Sequence, residues 1–461
     1  MDNKPYNDKL ESAVILLTNL VQENCGKRKL GGADLPKLHK SIAKIISDSV
    51  AITKGRQRKR WASIHKASGH YSVSRYHDAN ITYRIHVTRA YETLIKLGYL
   101  AEIKKGVNAE GAKFLTRYEA TDKLTDLFSE DDRIMLKHLS NERVNTELIR
   151  VQLRDTQGHK YLADYEESSN TIKMRDQMAF INDVLSKATF DLEVTKDELE
   201  QPEDRLHERA QERHEGDGRL RLQDVSLYRV FNDIDFTLGG RLYGGWWQTI
   251  PSVYRRRIRI NGKRTVELDF GTLHPTILYQ EAGIRPPDDS YDIALRPQSF
   301  DSVRNPDAYR GLVKACFNAM LNSTYRTTRP PRDIKLKQWG LKWGQMVDAI
   351  LEKHQPIADR FFTGQRLRLQ MLDSTVAANL MENFAKEMGT VALLPVHDSF
   401  ICHHGYETDV TRAMKAEFKK VFKADIRVKR TSWDDDPSHP ALDPDKRSVF
   451  DADADLLDVF S

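Results

Sequence analysis

The stretch LLPVHDSFICHHG, residues 393–405, places an imidazole and a carboxylate between two apolar runs. Four apolar residues precede His397-Asp398-Ser399, and Phe400-Ile401-Cys402 follow. A short apolar run, a tight polar pair and a second apolar run predict a β-hairpin whose tip carries Asp398. A charged tip on an otherwise buried hairpin favours a functional site over simple packing.

A second hairpin is predicted by RIRINGKRTVELDF, residues 257–270. Its residues alternate on both sides of Asn261-Gly262, a strong two-residue turn signal. Asp269 ends the second strand, and LHPTILYQEAG then has helical spacing up to Gly283. If both hairpins belong to one antiparallel sheet, Asp269 and Asp398 converge.

Between the two hairpins, PDAYRGLVKACFNAMLN (306–322) predicts a helix with Arg310 and Lys314 on one face. Two carboxylates are the ligands that magnesium prefers, and two neighbouring cations would neutralise a triphosphate. The pattern therefore predicts phosphoryl transfer with two divalent ions, magnesium or alternatively manganese.

These motifs resemble those of the family A polymerases, which comprise bacterial DNA polymerase I and the single-subunit RNA polymerases of phages and mitochondria. VELDFGTLHPTIL is similar to motif A, YRGLVKACFNAML to motif B and LLPVHDSF to motif C. The resemblance covers residues 231–425. It implies an α+β fold of the right-hand polymerase type, with an antiparallel palm sheet and helical fingers and thumb.

The resemblance also implies roles for matching residues. Asp269 and Asp398 would be the metal ligands, Lys314 would bind the triphosphate and protonate the pyrophosphate, and His397 would contact the primer end. The segments GGRLYGGWWQTIP and LQMLDSTVAANLM match the family's nucleic-acid-binding stretches. The implied nucleic-acid contacts there are Arg241, Gln248 and Gln370, and the implied nucleotide contacts are Arg310, Lys314, His274 and Asn318.

The sequence departs from family A around the nucleotide. His274 stands where the family A DNA polymerases have Glu, and DFGTLHPTI resembles motif A of the family B polymerases equally well. An aromatic ring there would lie under the sugar and exclude a 2′-hydroxyl, which favours deoxynucleotides. In motif B, Asn318 replaces a Phe and Asn322-Ser323 replace Tyr-Gly.

The N-terminal part has a different pattern. Residues 86–121 predict an amphipathic helix followed by two strands around a Gly-containing loop, and a basic stretch covers 54–66. Helix plus basic hairpin resembles a winged helix-turn-helix, with a small packing or dimerisation module as the alternative. The cations that we expect to contact nucleic acid are Arg58, Arg60, Lys104 and Lys105.

We predict four regions. Residues 1–123 form the winged-helix-like domain, 124–230 a helical thumb-like or linker region, 231–432 the palm and fingers, and 433–461 an acidic disordered tail. The tail carries nine Asp from 434 onward against Lys446 and Arg447. Its end resembles the peptide that docks bacterial polymerases on the sliding clamp, through Leu457, Val459 and Phe460; folding back onto the body is the alternative.

The combined interpretation is a template-directed DNA polymerase of a phage or mobile element, acting on primer–template DNA and dNTPs. Before residue 231 we see no acidic set of the proofreading exonuclease kind. The alternatives are a single-subunit RNA polymerase or primase, and a DNA-binding replication initiator or regulator with an inactive palm. Three scattered cysteines and the lack of an apolar run of about 18 residues favour a cytoplasmic protein without a membrane span.

Overall fold

The computed structural model describes residues 4–26, 29–50, 61–64, 66, 75–76, 84–109, 112–129, 147–194, 220, 222, 225–297, 306–389 and 391–432. The fold is α+β with mainly antiparallel sheets, as predicted. None of the helices in these residues combines the length and the apolarity that crossing a bilayer requires.

The N-terminal unit has its own apolar core, around Leu17, Ile42, Leu94 and Tyr118. In chain order its elements are α1 (Lys4–Asn24), α2 (Asp34–Val50), β1 (Ala62–Ile64), α3 (Arg84–Lys96), β2 (Leu100–Lys104), β3 (Val107–Ala109), β4 (Ala112–Phe114), β5 (Thr116–Ala120) and α4 (Asp122–Thr125). The antiparallel sheet has the order β1-β5-β2, and β3 and β4 form a separate hairpin between β2 and β5. The predicted helix and the two strands after it are confirmed, with this hairpin as an addition.

Residues 147–194 and 225–230 contain strands besides one long helix, and the expectation of a helical region over 124–230 did not include these strands. The elements there and just beyond are β6 (Ile149–Arg154), β7 (Lys160–Ala163), α5 (Ser169–Ser186), β8 (Phe190–Leu192), β9 (Tyr228–Phe231) and β10 (Gly239–Tyr243). Four of these strands form a sheet in the order β10-β9-β6-β7, in which β6 and β9 are parallel. The polar content of the region concealed strands, because only one face of this sheet is buried in the core.

The remaining chain surrounds a central sheet. Its elements are α6 (Ser252–Arg255), β11 (Ile258–Ile260), β12 (Lys263–Phe270), α7 (Leu273–Glu281), α8 (Pro306–Asn322), α9 (Trp343–Lys353), α10 (Arg366–Met388), β13 (Leu394–Val396), β14 (Ser399–His403), α11 (Glu407–Phe422) and β15 (Val428–Ser432). The sheet has the order β13-β14-β12-β11-β8, and β15 also pairs with β12. Both predicted hairpins are therefore confirmed, and both contribute to one sheet.

Strand β12 is the centre of this sheet because its two faces differ. Val266, Leu268 and Phe270 are buried in the core, whereas Glu267 and Asp269 point to the opposite, half-exposed face. The hairpin that leads into β12 turns at Asn261 and Gly262, with φ of 51° and 71°, as a type I′ turn requires.

Helix α10 packs closely on β10, and Gly240 allows this approach. A Cβ at Gly240 would lie 2.9 Å from Arg229 Nη2 and 3.0 Å from Met371 Sδ on α10. Gly240 also has φ of +73°. Two independent constraints therefore require glycine at this position.

We predict that Gly240→Ala destabilises the protein more than Gly262→Ala does. Gly262 has nearly the same φ, +71°, but nothing lies within 4 Å of the place that an alanine Cβ would take there. Strain alone should cost about 1 kcal/mol at Gly262, and overpacking should add about 1–3 kcal/mol at Gly240. Urea unfolding midpoints of the two variants measure this; equal losses would show that the α10–β10 contact is not tight.

Candidate active site

The two predicted carboxylates lie side by side at one edge of the central sheet. Asp269 pairs in register with Ser399, the residue after Asp398. The Phe270 N–H donates a hydrogen bond to the Asp398 carbonyl oxygen at 3.3 Å. Antiparallel pairing of β12 and β14 therefore brings together two acidic residues that are far apart in the chain.

Both carboxylates line one pocket of about 230 Å³. It lies between the sheet, helix α8 and the start of α7. The lining residues are Arg241, Asp269, Phe270, Gly271, Thr272, Leu273, His274, Tyr291, Arg310, Lys314, Asn318, His397, Asp398 and Lys429. Eight of the residues predicted from the motifs thus line this pocket. The two that do not are Gln370 on α10 and Gln248.

The carboxylate pair is electrostatically strained. Burial, followed by the negative charge of Asp398, raises the pKa of Asp269 from its ordinary value of 3.8 to about 7. Lys314 and Lys429 act in the opposite direction. Two adjacent carboxylates that resist simultaneous ionisation form a donor set that a divalent cation would relieve, since hard oxygen ligands suit Mg²⁺.

A third carboxylate, Glu267, lies on the same face of β12 but is already engaged. Arg255 donates two hydrogen bonds to it, both at 3.2 Å, and the Ser399 hydroxyl donates one at 2.6 Å. Within the described residues no group of three or more His, Cys, Asp or Glu side chains is arranged to hold a metal. Glu267 therefore fixes the strand next to Asp398, and Asp269 and Asp398 are the candidate ligands.

His397 occupies the first central position of the β13–β14 turn. Its φ is 59°, the left-handed value that a type II′ turn requires there and that non-glycine residues rarely adopt. Burial, followed by the charge of Arg241, lowers the pKa of His397. The imidazole is therefore neutral at physiological pH and suited to hydrogen bonding rather than to charge pairing.

Arg310, Lys314 and Asn318 follow one another at four-residue spacing along α8, and all three line the pocket. Arg310 is occupied: its Nε and Nη2 donate to the two oxygens of Asp289 at 2.7 and 3.0 Å. This pairing raises the pKa of Arg310 and lowers that of Asp289. Lys314 is exposed and has no hydrogen bond or ion pair to any described residue.

The segment that carries Asp289 is held by a buried histidine. His354 Nε2 donates to the Ser290 carbonyl oxygen at 2.8 Å, and the Tyr279 hydroxyl lies 3.1 Å from His354 Nδ1. Burial lowers the pKa of His354 to about 4, so the ring is neutral and both nitrogens are used within the protein. These hydrogen bonds anchor the segment that positions Asp289 for its ion pair with Arg310.

The sequence did not single out Asp373, which connects two of the predicted site residues. Its carboxylate, 1% exposed, accepts a hydrogen bond from Arg241 Nη2 at 2.6 Å and lies 3.1 Å from His274 Nε2. Burial acts to lower the pKa of Arg241, but the hydrogen bonds and the charge of Asp373 act in the opposite direction, and the net effect is a raised pKa of Arg241. The available signal was that Asp373 is the single charged residue within residues 369–381 of α10.

Lys429 of β15 was also missed. It pairs in register with Asp269, is exposed and lines the pocket. In the sequence it is one of many lysines near the C-terminal end, and only the pairing of β15 with β12 shows where it lies.

Other predicted residues lie elsewhere. The Gln248 side chain donates to the carbonyl oxygens of Leu242 and Pro395, at 3.1 and 3.0 Å, and Gln370 is buried in α10; neither lines the pocket. Lys104 and Lys105 are exposed in the N-terminal unit. The remaining predicted residues, Arg58, Arg60, Leu457, Val459 and Phe460, lie outside the described residues.

No protein-family model and no curated protein matches the chain. Among solved structures, the chain is similar to the POL domain of Pol1 from M. smegmatis in complex with DNA primer-template and dNTP, at 12% sequence identity and a TM-score of 0.30. The match covers 93% of this chain and 66% of that one. This similarity is too low to carry an argument about function.

We predict that Asp269→Asn stabilises the protein in EDTA, and more so at pH 8 than at pH 5. The pKa of Asp269 is higher in the folded state than in the unfolded state, so folding favours the protonated carboxyl group. The wild-type protein therefore loses stability as the pH rises from about 4 to about 7. The variant does not undergo this loss, so its advantage in free energy of unfolding should grow by about 2–3 kcal/mol between pH 5 and pH 8.

Denaturant unfolding at both pH values measures the effect, with Asp359→Asn, at a side chain 73% exposed, as the matched control. Added Mg²⁺ should stabilise the wild type and shrink the advantage of the variant. An advantage that is the same at both pH values would contradict the raised pKa of Asp269.

Proposed function

We propose that this protein is a template-directed DNA polymerase that transfers a nucleotide from a dNTP to a primer 3′-hydroxyl. One observation carries the proposal: Asp269 and Asp398 line the same pocket as the cationic face of α8. Carboxylates beside lysine and arginine are the groups that bind, orient and neutralise a nucleoside triphosphate.

In the reaction, the primer 3′-hydroxyl gives up its proton to solvent water, its oxygen forms a bond to the α-phosphorus, and the bond from that phosphorus to the oxygen bridging the α- and β-phosphates breaks. Asp269 and Asp398 would hold two Mg²⁺ ions, or Mn²⁺, which when bound lower the pKa of the hydroxyl and neutralise phosphate charge. Lys314 neutralises the triphosphate and supplies a proton to the departing pyrophosphate. Neutral His397 donates or accepts a hydrogen bond at the primer end.

Arg241, Asp373 and His274 form the part of the site that would read the primer end and the sugar. Asp373 holds Arg241 and His274 from one buried carboxylate, so the two side chains are positioned together. Held in this way, the His274 ring excludes a 2′-hydroxyl and favours deoxynucleotides.

The sheet β10-β9-β6-β7 supports a nucleic-acid path into the pocket. Its strands contain five Arg or Lys residues, of which Arg229 is buried, and no Asp or Glu. The strand register places Arg150, Tyr228, Arg241 and Tyr243 on one face. The Arg150 guanidinium lies 3.4 Å from the Tyr228 ring centroid, and the Tyr228 and Tyr243 rings are 6.4 Å apart. Cations interleaved with aromatic rings are typical of surfaces that bind nucleic acid.

The N-terminal unit extends the proposal. Its sheet order, the β3–β4 hairpin and the exposed Lys104 and Lys105 are compatible with a winged-helix module that contacts DNA backbone. The clamp contact through Leu457, Val459 and Phe460, the phage or mobile-element setting and the missing proofreading activity stay predictions.

The test is incorporation of labelled dNTPs on a primed template with Mg²⁺. We expect activity in the wild type and a loss of about 10³-fold in Asp269→Ala and in Asp398→Ala, because each removes charge stabilisation of the transition state. Asp359→Ala should incorporate as the wild type does. Duplex binding should survive in the Asp269→Ala, Asp398→Ala double variant and weaken in the Lys104→Ala, Lys105→Ala double variant. An inactive wild type that binds duplex DNA would favour the initiator or regulator instead.

A separate prediction concerns sugar choice. His274→Ala and Asp373→Asn should both lower the ratio of dNTP to NTP incorporation, by about tenfold, since one removes the ring and the other its support. His404→Ala, at a side chain 60% exposed, is the control. Preference for NTPs in the wild type would indicate the RNA polymerase or primase alternative, and an unchanged ratio in both variants would exclude His274 from sugar selection.

A further inference from the structure

The proposed mechanism assigns no role to Lys429, a charged residue of the pocket. Directly opposed residues of an antiparallel pair project from the same face of a sheet, so the register Asp269↔Lys429 puts this lysine on the face that carries the carboxylates. Although it is adjacent to Asp269, Lys429 forms no ion pair or hydrogen bond with any described residue. Its ammonium therefore lowers the pKa of Asp269 through its charge but forms no direct ion pair with that carboxylate.

The other pocket cations differ in this respect. Arg310 is paired with Asp289 through two hydrogen bonds, and Arg241 is paired with the buried Asp373. In each pair the positive charge of the arginine is neutralised by the negative charge of the aspartate. Among the described lining residues, Lys314 and Lys429 are the cations without an ion-paired carboxylate, and they stand on different walls, one on α8 and one on β15.

We infer that Lys314 and Lys429 together form the binding subsite for the β- and γ-phosphates of the incoming nucleotide, one lysine from each wall. The inference rests on the proposed function and changes one part of it, because Arg310 then serves mainly to hold Asp289. A lysine ammonium suits this task, being a compact charge on a flexible stem that can follow a polyphosphate. A lysine that served only to neutralise Asp269 would be expected to form an ion pair with it.

The test is equilibrium binding of a fluorescent dATP to the full-length protein in Mg²⁺ without primer. Lys429→Ala should raise Kd about tenfold, and Lys429→Arg should restore most of the affinity, since one charged contact to phosphate contributes about that much. The matched control is Arg430→Ala, the next residue of the same strand, which projects from the opposite face and faces Glu407 at 4.0 Å. Arg310→Ala should weaken binding less than Lys429→Ala does.

Phosphate number separates a phosphate subsite from a structural role. The loss in Lys429→Ala should be largest for dATP, smaller for dADP and absent for dAMP, each measured by competition with the fluorescent probe. Equal losses for dATP and dAMP, or dATP affinity equal to that of the wild type, would overturn the inference. Matching unfolding midpoints of Lys429→Ala and Arg430→Ala confirm that both variants are folded.

The outcomes also separate this inference from the proposed function. If the wild type binds dATP through Lys429 but incorporates no nucleotide, the proposed polymerase function is contradicted and the proposed phosphate subsite is not. If the wild type extends primers and Lys429→Ala has the same KM for dNTP as the wild type, the proposed phosphate subsite alone is contradicted.

Discussion

The repulsion between Asp269 and Asp398 is the constraint on which the candidate site depends. Asp269 lies in β12 and Asp398 directly precedes β14, so the pairing of these two strands keeps the two residues adjacent. Burial, followed by the negative charge of Asp398, raises the pKa of Asp269, so the ionised carboxylate carries a free-energy cost in this arrangement. In the proposed function, divalent cations bound to both carboxylates would relieve this cost.

The surroundings hold this strained pair in place through interactions of ordinary kinds. Glu267 binds Arg255 and Ser399 and so fixes the strand beside Asp398. On the other side of the pocket, Gly240 allows α10 to approach β10, and this approach places Asp373 within reach of Arg241 and His274. The primer-end and sugar contacts in the proposal therefore depend on a glycine that has no chemical role of its own.

Local signals predicted the part of the site that lies on short, strongly patterned segments. The Asn261-Gly262 turn, the alternation in β12 and the His397-Asp398 tip each follow from residues close in sequence, and each is found where it was expected. Asp373 and Lys429 could not be predicted in this way, because their positions depend on how α10 crosses β10 and on which strand β15 joins. The strands of 147–194 were missed for a related reason: their polar residues cover the face of a sheet whose other face is buried.

The most direct test of the central claim determines whether one divalent cation is bound by both Asp269 and Asp398. Fe²⁺ in place of Mg²⁺, with ascorbate and peroxide, generates hydroxyl radicals that cleave the chain beside the bound ion. The account predicts cleavage near both 269 and 398, suppressed by excess Mg²⁺ and lost at both places in Asp269→Ala. Cleavage at one of these places alone, or persistence at 398 in Asp269→Ala, would show that the two carboxylates do not share an ion.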